Sequence, residues 1–109
     1  MDNNYIIVHT LEQAKDALKE AEKSGVNITL RSAPDAFFYA GSLYLLTMFK
    51  QAQEAYPHVK ATFILDCGDA GAKVIAAMQD GHKNIKSNAK PEIREKLRAI
   101  AAQHGVNLL

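Results

Sequence analysis

A chain of 109 residues has room for one domain with one core, and its 48% apolar content is that of a globular sequence rather than a disordered one. With 13 Lys and Arg against 12 Asp and Glu it is almost neutral, so no electrostatic pull toward nucleic acid or an anionic membrane is expected. A single cysteine excludes an internal disulfide, and the opening Met1-Asp2-Asn3-Asn4 lacks the basic-then-apolar order of a secretory signal; a cytoplasmic protein is the expectation.

Strand and helix signals alternate along the whole chain. Tyr5 to Val8 is a short β-branched run, followed by Thr10 as a helix cap with Gln13 three residues on, a capping box. In the helix that follows, Leu11, Ala14, Leu18 and Ala21 line one face, and Gly25 closes it. Val26 to Leu30 is the second strand. Ala33-Pro34-Asp35 breaks it and opens a long second helix, 35–56, stopped by Pro57.

Ala61 to Leu65 is the most apolar strand and is expected at the sheet centre. A third helix is predicted from about Ala70 to Gln79, capped by Asp69 and ended by Gly81. Asn84 to Lys86, with Ile85 its only apolar residue, reads as an edge strand. Pro91 opens a fourth helix that buries Ile93, Leu97 and Ile100 and ends at Gly105, before a last strand at Val106 to Leu109. The segments Gly25-Val26-Asn27-Ile28 and Gly105-Val106-Asn107-Leu108 are alike, as an internal duplication or any helix-to-strand junction would make them.

Such alternation implies a single α/β domain over residues 1–109. The expected architecture is three-layered, a mostly parallel sheet of four or five strands with four helices, flavodoxin-like or half-barrel-like. The uncharged run between Asp35 and Lys50 is only 14 residues, short of the roughly 20 a bilayer crossing needs, and reads as a buried helix.

Ligands in open α/β sheets sit at the carboxyl ends of the strands. The polar groups expected on that rim are His9, Ser32, Asp66, Cys67, Gly68 and Asp69, a candidate site for a small anionic ligand. Gly68 to Gly71 surround a helix N-terminus, whose unpaired N–H groups suit an anion. The glycines read equally as turn residues. No Gly-x-Gly-x-x-Gly or Walker sequence is present, so no cofactor class is specified. Asp66 with Asp69 would offer two carboxylates to a cation, but nothing completes the set and no metal is expected.

If the strand order is 2-1-3-4-5, His9 approaches Asp66 and Cys67. A small enzyme using Cys67 or Asp66 with His9 as base is then the alternative. A third reading is an interaction module. On the second helix Tyr39, Leu43 and Leu46 fall on the polar side, a ridge suited to a homodimer or another protein partner.

The stretch Leu65-Asp66-Cys67-Gly68-Asp69-Ala70-Gly71 through Ala76-Ala77-Met78-Gln79-Asp80-Gly81 resembles a βα unit of phosphate-binding (β/α) barrels. The chain would then be similar to half a barrel, and also to short bacterial β/α proteins. That resemblance implies a fold rather than an activity. The catalytic lysine that barrel aldolases carry on a strand is absent from Phe63 to Asp66. Small regulatory domains of the anti-sigma-antagonist type are also α/β, but their Asp-Ser-Ser motif is missing here.

Overall fold

The computed structural model describes residues 5–34, 36 and 40–109. The elements run β1 (Ile6–Val8), α1 (Leu11–Ser24), β2 (Ile28–Ser32), α2 (Ser42–Ala55), β3 (Ala61–Asp66), α3 (Gly71–Asp80), β4 (Asn84–Lys86), α4 (Pro91–His104) and β5 (Asn107–Leu108). All pairings are parallel, and the sheet order is β1-β2-β3-β4-β5. The α/β class, the parallel sheet of five strands and the four helices are as the sequence leads one to expect.

The order itself decides the architecture. Every crossover steps one strand in the same direction, and right-handed crossovers taken that way put all the helices on one face. Accordingly α1 packs on α2, α2 on α3 and α3 on α4. The expected third layer is therefore missing: the half-barrel form holds, and the 2-1-3-4-5 order does not. Nor is β4 an edge strand, since it pairs with both β3 and β5, and Ile85 is fully buried. The edges are β1 and β5, with β3 central as expected.

Register divides the strands into two faces, because parallel neighbours in register point the same way and successive residues alternate. Leu30 is paired with Phe63, and Leu65 with Ile85, on the helix side. There Phe49 of α2 stacks on Phe63 with ring centroids 4.8 Å apart, and Val8, Leu18, Leu30, Leu65, Val74 and Ile85 complete the core. Ile7, Arg31, Ile64, Asp66 and Lys86 lie on the opposite face, which no described helix covers.

Helix α1 forms as the pattern dictates. Thr10 Oγ1 accepts from the Gln13 N–H, Gln13 Oε1 accepts from the His9 N–H, and Ala14, Leu18 and Ala21 are buried. The next strand starts later than Val26, because the Val26 N–H is spent on the Ala21 carbonyl in the cap after Gly25. Arg31 and Ser32 consequently end β2 rather than stand in the loop beyond it. The Val26 turn is repeated after Gly105, where Val106 N–H bonds the Ala101 carbonyl.

Helix α2 is shorter than expected and begins at Ser42. Gly41, with ψ at 160°, lies off the helical path immediately before the helix. Its core face is Leu45, Met48, Phe49 and Ala52. Phe37, Phe38 and Tyr39, and with Tyr39 one residue of the expected contact ridge, lie outside the described residues. In α4, Leu97 and Ala101 are buried and Ile100 is half-buried, whereas Ile93 is exposed.

Candidate functional site at the carboxyl ends of the strands

Asp66 closes β3 and is the most constrained polar residue of the sheet. Its side chain is 1% exposed, yet it sits on the uncovered face; neighbouring groups cover it instead of helices. One carboxylate oxygen takes a hydrogen bond from Arg31 Nη2 at 2.6 Å, and the other from the Gly68 N–H at 2.9 Å. Its own N–H donates to Ser32 Oγ at 2.9 Å. Arg31 in turn lies over the Tyr5 ring, 4.7 Å from the centroid, which shields the pair from water. A carboxylate can be buried this deeply because it is both ion-paired and hydrogen-bonded.

The loop after β3 holds itself in place. Gly68, at φ +59°, turns the chain so that its N–H meets Asp66 and its carbonyl accepts from the Asn88 N–H. The N-cap of α3 is Ala70, which supplies no side-chain bond; the expected cap Asp69 is exposed instead. No side chain caps the first turn of α3, where the Lys73 N–H bonds the Ala70 carbonyl. Gly71 is small for packing, not for a ligand: a Cβ there would stand 3.2 Å from Ile93 Cγ2 of α4.

Cys67 is buried, and burial first, with the Asp66 charge second, pushes its thiol up to about 12 against a smaller opposing pull from Lys73. That is the wrong direction for a nucleophile, which needs its thiolate near neutral pH. The expected meeting of His9 with Asp66 and Cys67 also fails. Strand β2 lies between β1 and β3, two strand spacings of about 4.8 Å each, and His9 is exposed at the sheet edge. Of the rim residues expected from sequence, Ser32, Asp66, Cys67 and Gly68 come together, Asp69 stands beside them, and His9 does not join.

Two further residues belong to this site: Arg31, which the sequence places with Ser32 at the end of the second strand but to which it gives no role, and Lys86, which is not among the residues expected there. Arg31 is the partner of Asp66, and Lys86 at the end of β4 is Asp66's register neighbour on the same face. Their signal was there: Asn84-Ile85-Lys86 alternates around a buried Ile85, and Leu30 is buried between Thr29 and Arg31. Among the described residues no three His, Cys, Asp or Glu side chains gather as a metal-ligand set, and no helix is long and apolar enough to cross a membrane.

Away from the rim, Leu43 and Tyr44 of α2 are exposed and Leu46 is half-buried, touching the position of Gly81. Leu43, Tyr44, Thr47 and Met48 face Leu11 of α1 across a hollow of about 390 Å³.

No family model matches the chain, and no curated protein does. A solved structure does: a "putative fructose-1,6-biphosphate aldolase" from Coccidioides immitis superposes with a TM-score of 0.75 at 21% identity. The match takes in 96% of this chain and 45% of the aldolase, so this chain spans less than half the length of the protein it resembles. At that identity the likeness is one of fold, and it agrees with the half-barrel order of the strands.

Proposed function

We propose that this chain is a binding module for a small anionic ligand, a phosphate ester or an organic acid, held at the carboxyl ends of β2, β3 and β4. The observation that carries the reading is the placement of positive charge there. Arg31 and Lys86 stand at or next to the ends of the two strands flanking β3, Lys73 is close enough to act on Cys67, and α3, which follows β3, has no side-chain cap at its N-terminus. Asp66 neutralises Arg31, leaving Lys86 and the helix end to meet an incoming anion.

A hydrolase built on Cys67 and His9 is not favoured by this geometry, since the thiol is buried and the base is a strand away. The test is thermal unfolding in the presence of inorganic phosphate, phosphate esters and di- and tricarboxylic acids. An anion at a hundred times its Kd should stabilise the fold by about 2.7 kcal/mol and raise Tm accordingly. Lys86→Met should abolish that rise, while Lys96→Met on exposed α4 should leave it intact. If no anion moves Tm, or Lys86→Met keeps the full response, the reading is wrong.

A further inference from the structure

At the opposite end of the sheet from the rim, where Ala61 opens β3 and Asn84 opens β4, α2 and the turn after α3 leave a hollow of about 260 Å³. Its floor is apolar: Phe49 and Phe63, stacked on each other, with Leu46 beside them. Its polar edge is Lys50 of α2 with His82 and Lys83. The walls are fixed in place. Gly81 takes φ +108° to close α3, a conformation that favours glycine, and a Cβ there would stand 3.4 Å from Leu46 Cδ2. His82 is 2% exposed and held by its Nε2 bond to the Ser42 carbonyl, which ties the turn to the start of α2. A preformed wall of this kind costs a ligand little ordering.

We propose that this hollow binds a small aromatic monocarboxylate, its ring on the Phe49–Phe63 floor and its carboxylate between Lys50 and Lys83. Three observations select that chemistry. Size is the first. The hollow exceeds the roughly 150 Å³ that accepts benzene and falls short of the about 300 Å³ where pockets for drug-sized ligands begin, which suits one ring with a short tail. The second is the sign of the charge. Both charged lining residues are lysines, and no acidic side chain lines the hollow among the described residues. Lys83 Nζ reaches the His104 carbonyl at a long 3.4 Å, which leaves its other N–H groups for a ligand, and Lys50 is near enough to act on the His82 ring. The third is a limit on that charge. Asp80 is also close enough to act on His82, and the carbonyl end of α3 adds partial negative charge. Both oppose a doubly charged phosphate, while a single carboxylate is balanced by the two lysines.

This site lies at the other end of the strands from Asp66, and the proposal does not depend on the rim's binding an anion.

A two-dimensional amide NMR titration of the full chain with sodium benzoate tests it. The backbone shifts should saturate and centre on residues 46–50, 61–63 and 81–84. Benzyl alcohol, which keeps the ring and lacks the charge, should bind about tenfold more weakly or worse, the loss expected when a hydrogen bond to a charged group goes. Lys50→Met combined with Lys83→Met should raise the benzoate Kd by a similar factor. Both lysines are exposed, and an unchanged spectrum away from the two substitutions establishes that this variant is folded. Lys96→Met, on α4, should leave the Kd as it is, and inorganic phosphate should not displace benzoate. Shifts that never saturate overturn the proposal, as do shifts centred on residues 66–73, which would report the rim. Benzyl alcohol binding as tightly as benzoate, displacement by phosphate, or an unchanged Kd in the double lysine variant overturns it equally.

Discussion

On the helix side of the sheet, Leu30, Leu65 and Ile85 are fully buried, and Phe63 lies under a stacked Phe49. On the other side the same strands present Ile7, Arg31, Ile64, Asp66 and Lys86, with only Asp66 fully buried. The first face is held by apolar area against a helix layer. The second has no layer to lean on, so the one residue it buries is held by a specific ion pair and hydrogen bonds. Burial by packing tolerates many apolar shapes, whereas burial by pairing fails when a single partner is lost.

The largest expected effect breaks that pairing. Arg31→Met removes the guanidinium and leaves the Asp66 carboxylate charged and buried. Losing one partner of such a pair costs about 3–5 kcal/mol. Lys86→Met, its neighbour on the same face, has no partner among the described residues and should change stability by about 0.5 kcal/mol or less. Urea midpoints of the two variants measure the contrast directly. Should Arg31→Met unfold within about 1 kcal/mol of wild type, the ion pair is not what holds Asp66 in place.

Much of this was legible in the chain. The β-α alternation, the glycine stops at Gly25, Gly81 and Gly105, and the central place of Ala61 to Leu65 follow from local chemistry, which a sequence carries within a few residues. Strand order was not, because 2-1-3-4-5 and 1-2-3-4-5 use the same local units and differ only in the direction of the first crossover and the span of the second. Everything that depended on order moved with it: the layer count, the edge role given to β4, and the approach of His9 to Asp66. The Arg31–Asp66 pair was missed for a related reason. Its members stand 35 positions apart in sequence, and only register between β2 and β3 brings them to one face.

Adjacent residues of β3 sharpen the comparison at lower magnitude. Leu65 points into the helix layer and Ile64 to the uncovered face, one residue apart on the same strand. Leu65→Ala opens a cavity in a packed core and should cost about 2–5 kcal/mol. Ile64→Ala, on a half-buried side chain with no layer above it, should cost about 1 kcal/mol or less in the monomer. The same two variants, followed by chemical denaturation at low protein concentration, separate the faces. Equal losses would mean that the uncovered face is packed after all.

The smallest effect belongs to the helix side and depends on pH. His82, just after α3, is 2% exposed, lies edge-on to Phe49 at 6.5 Å, and makes a 2.8 Å bond through Nε2 to the Ser42 carbonyl. Burial drives its pKa below the usual 6.5, and Lys50 pushes the same way. The Ser42 carbonyl and Asp80 pull it back without cancelling the burial. Between the folded value and 6.5 the unfolded chain therefore binds a proton that the folded chain refuses. Stability is full above pH 6.5 and falls as the pH drops from there through the folded value. One such group gives a slope of at most about 1.36 kcal/mol per pH unit. His9, His58 and His104 are exposed and common to wild type and variant, so the difference between wild type and His82→Gln isolates this group. Urea unfolding at pH 7.5, 6.5 and 5.5 should show wild type losing stability on acidification faster than His82→Gln. Parallel pH profiles, or a steeper acid loss in the variant, would show that the neutral ring beneath the helices is not what the covered face protects.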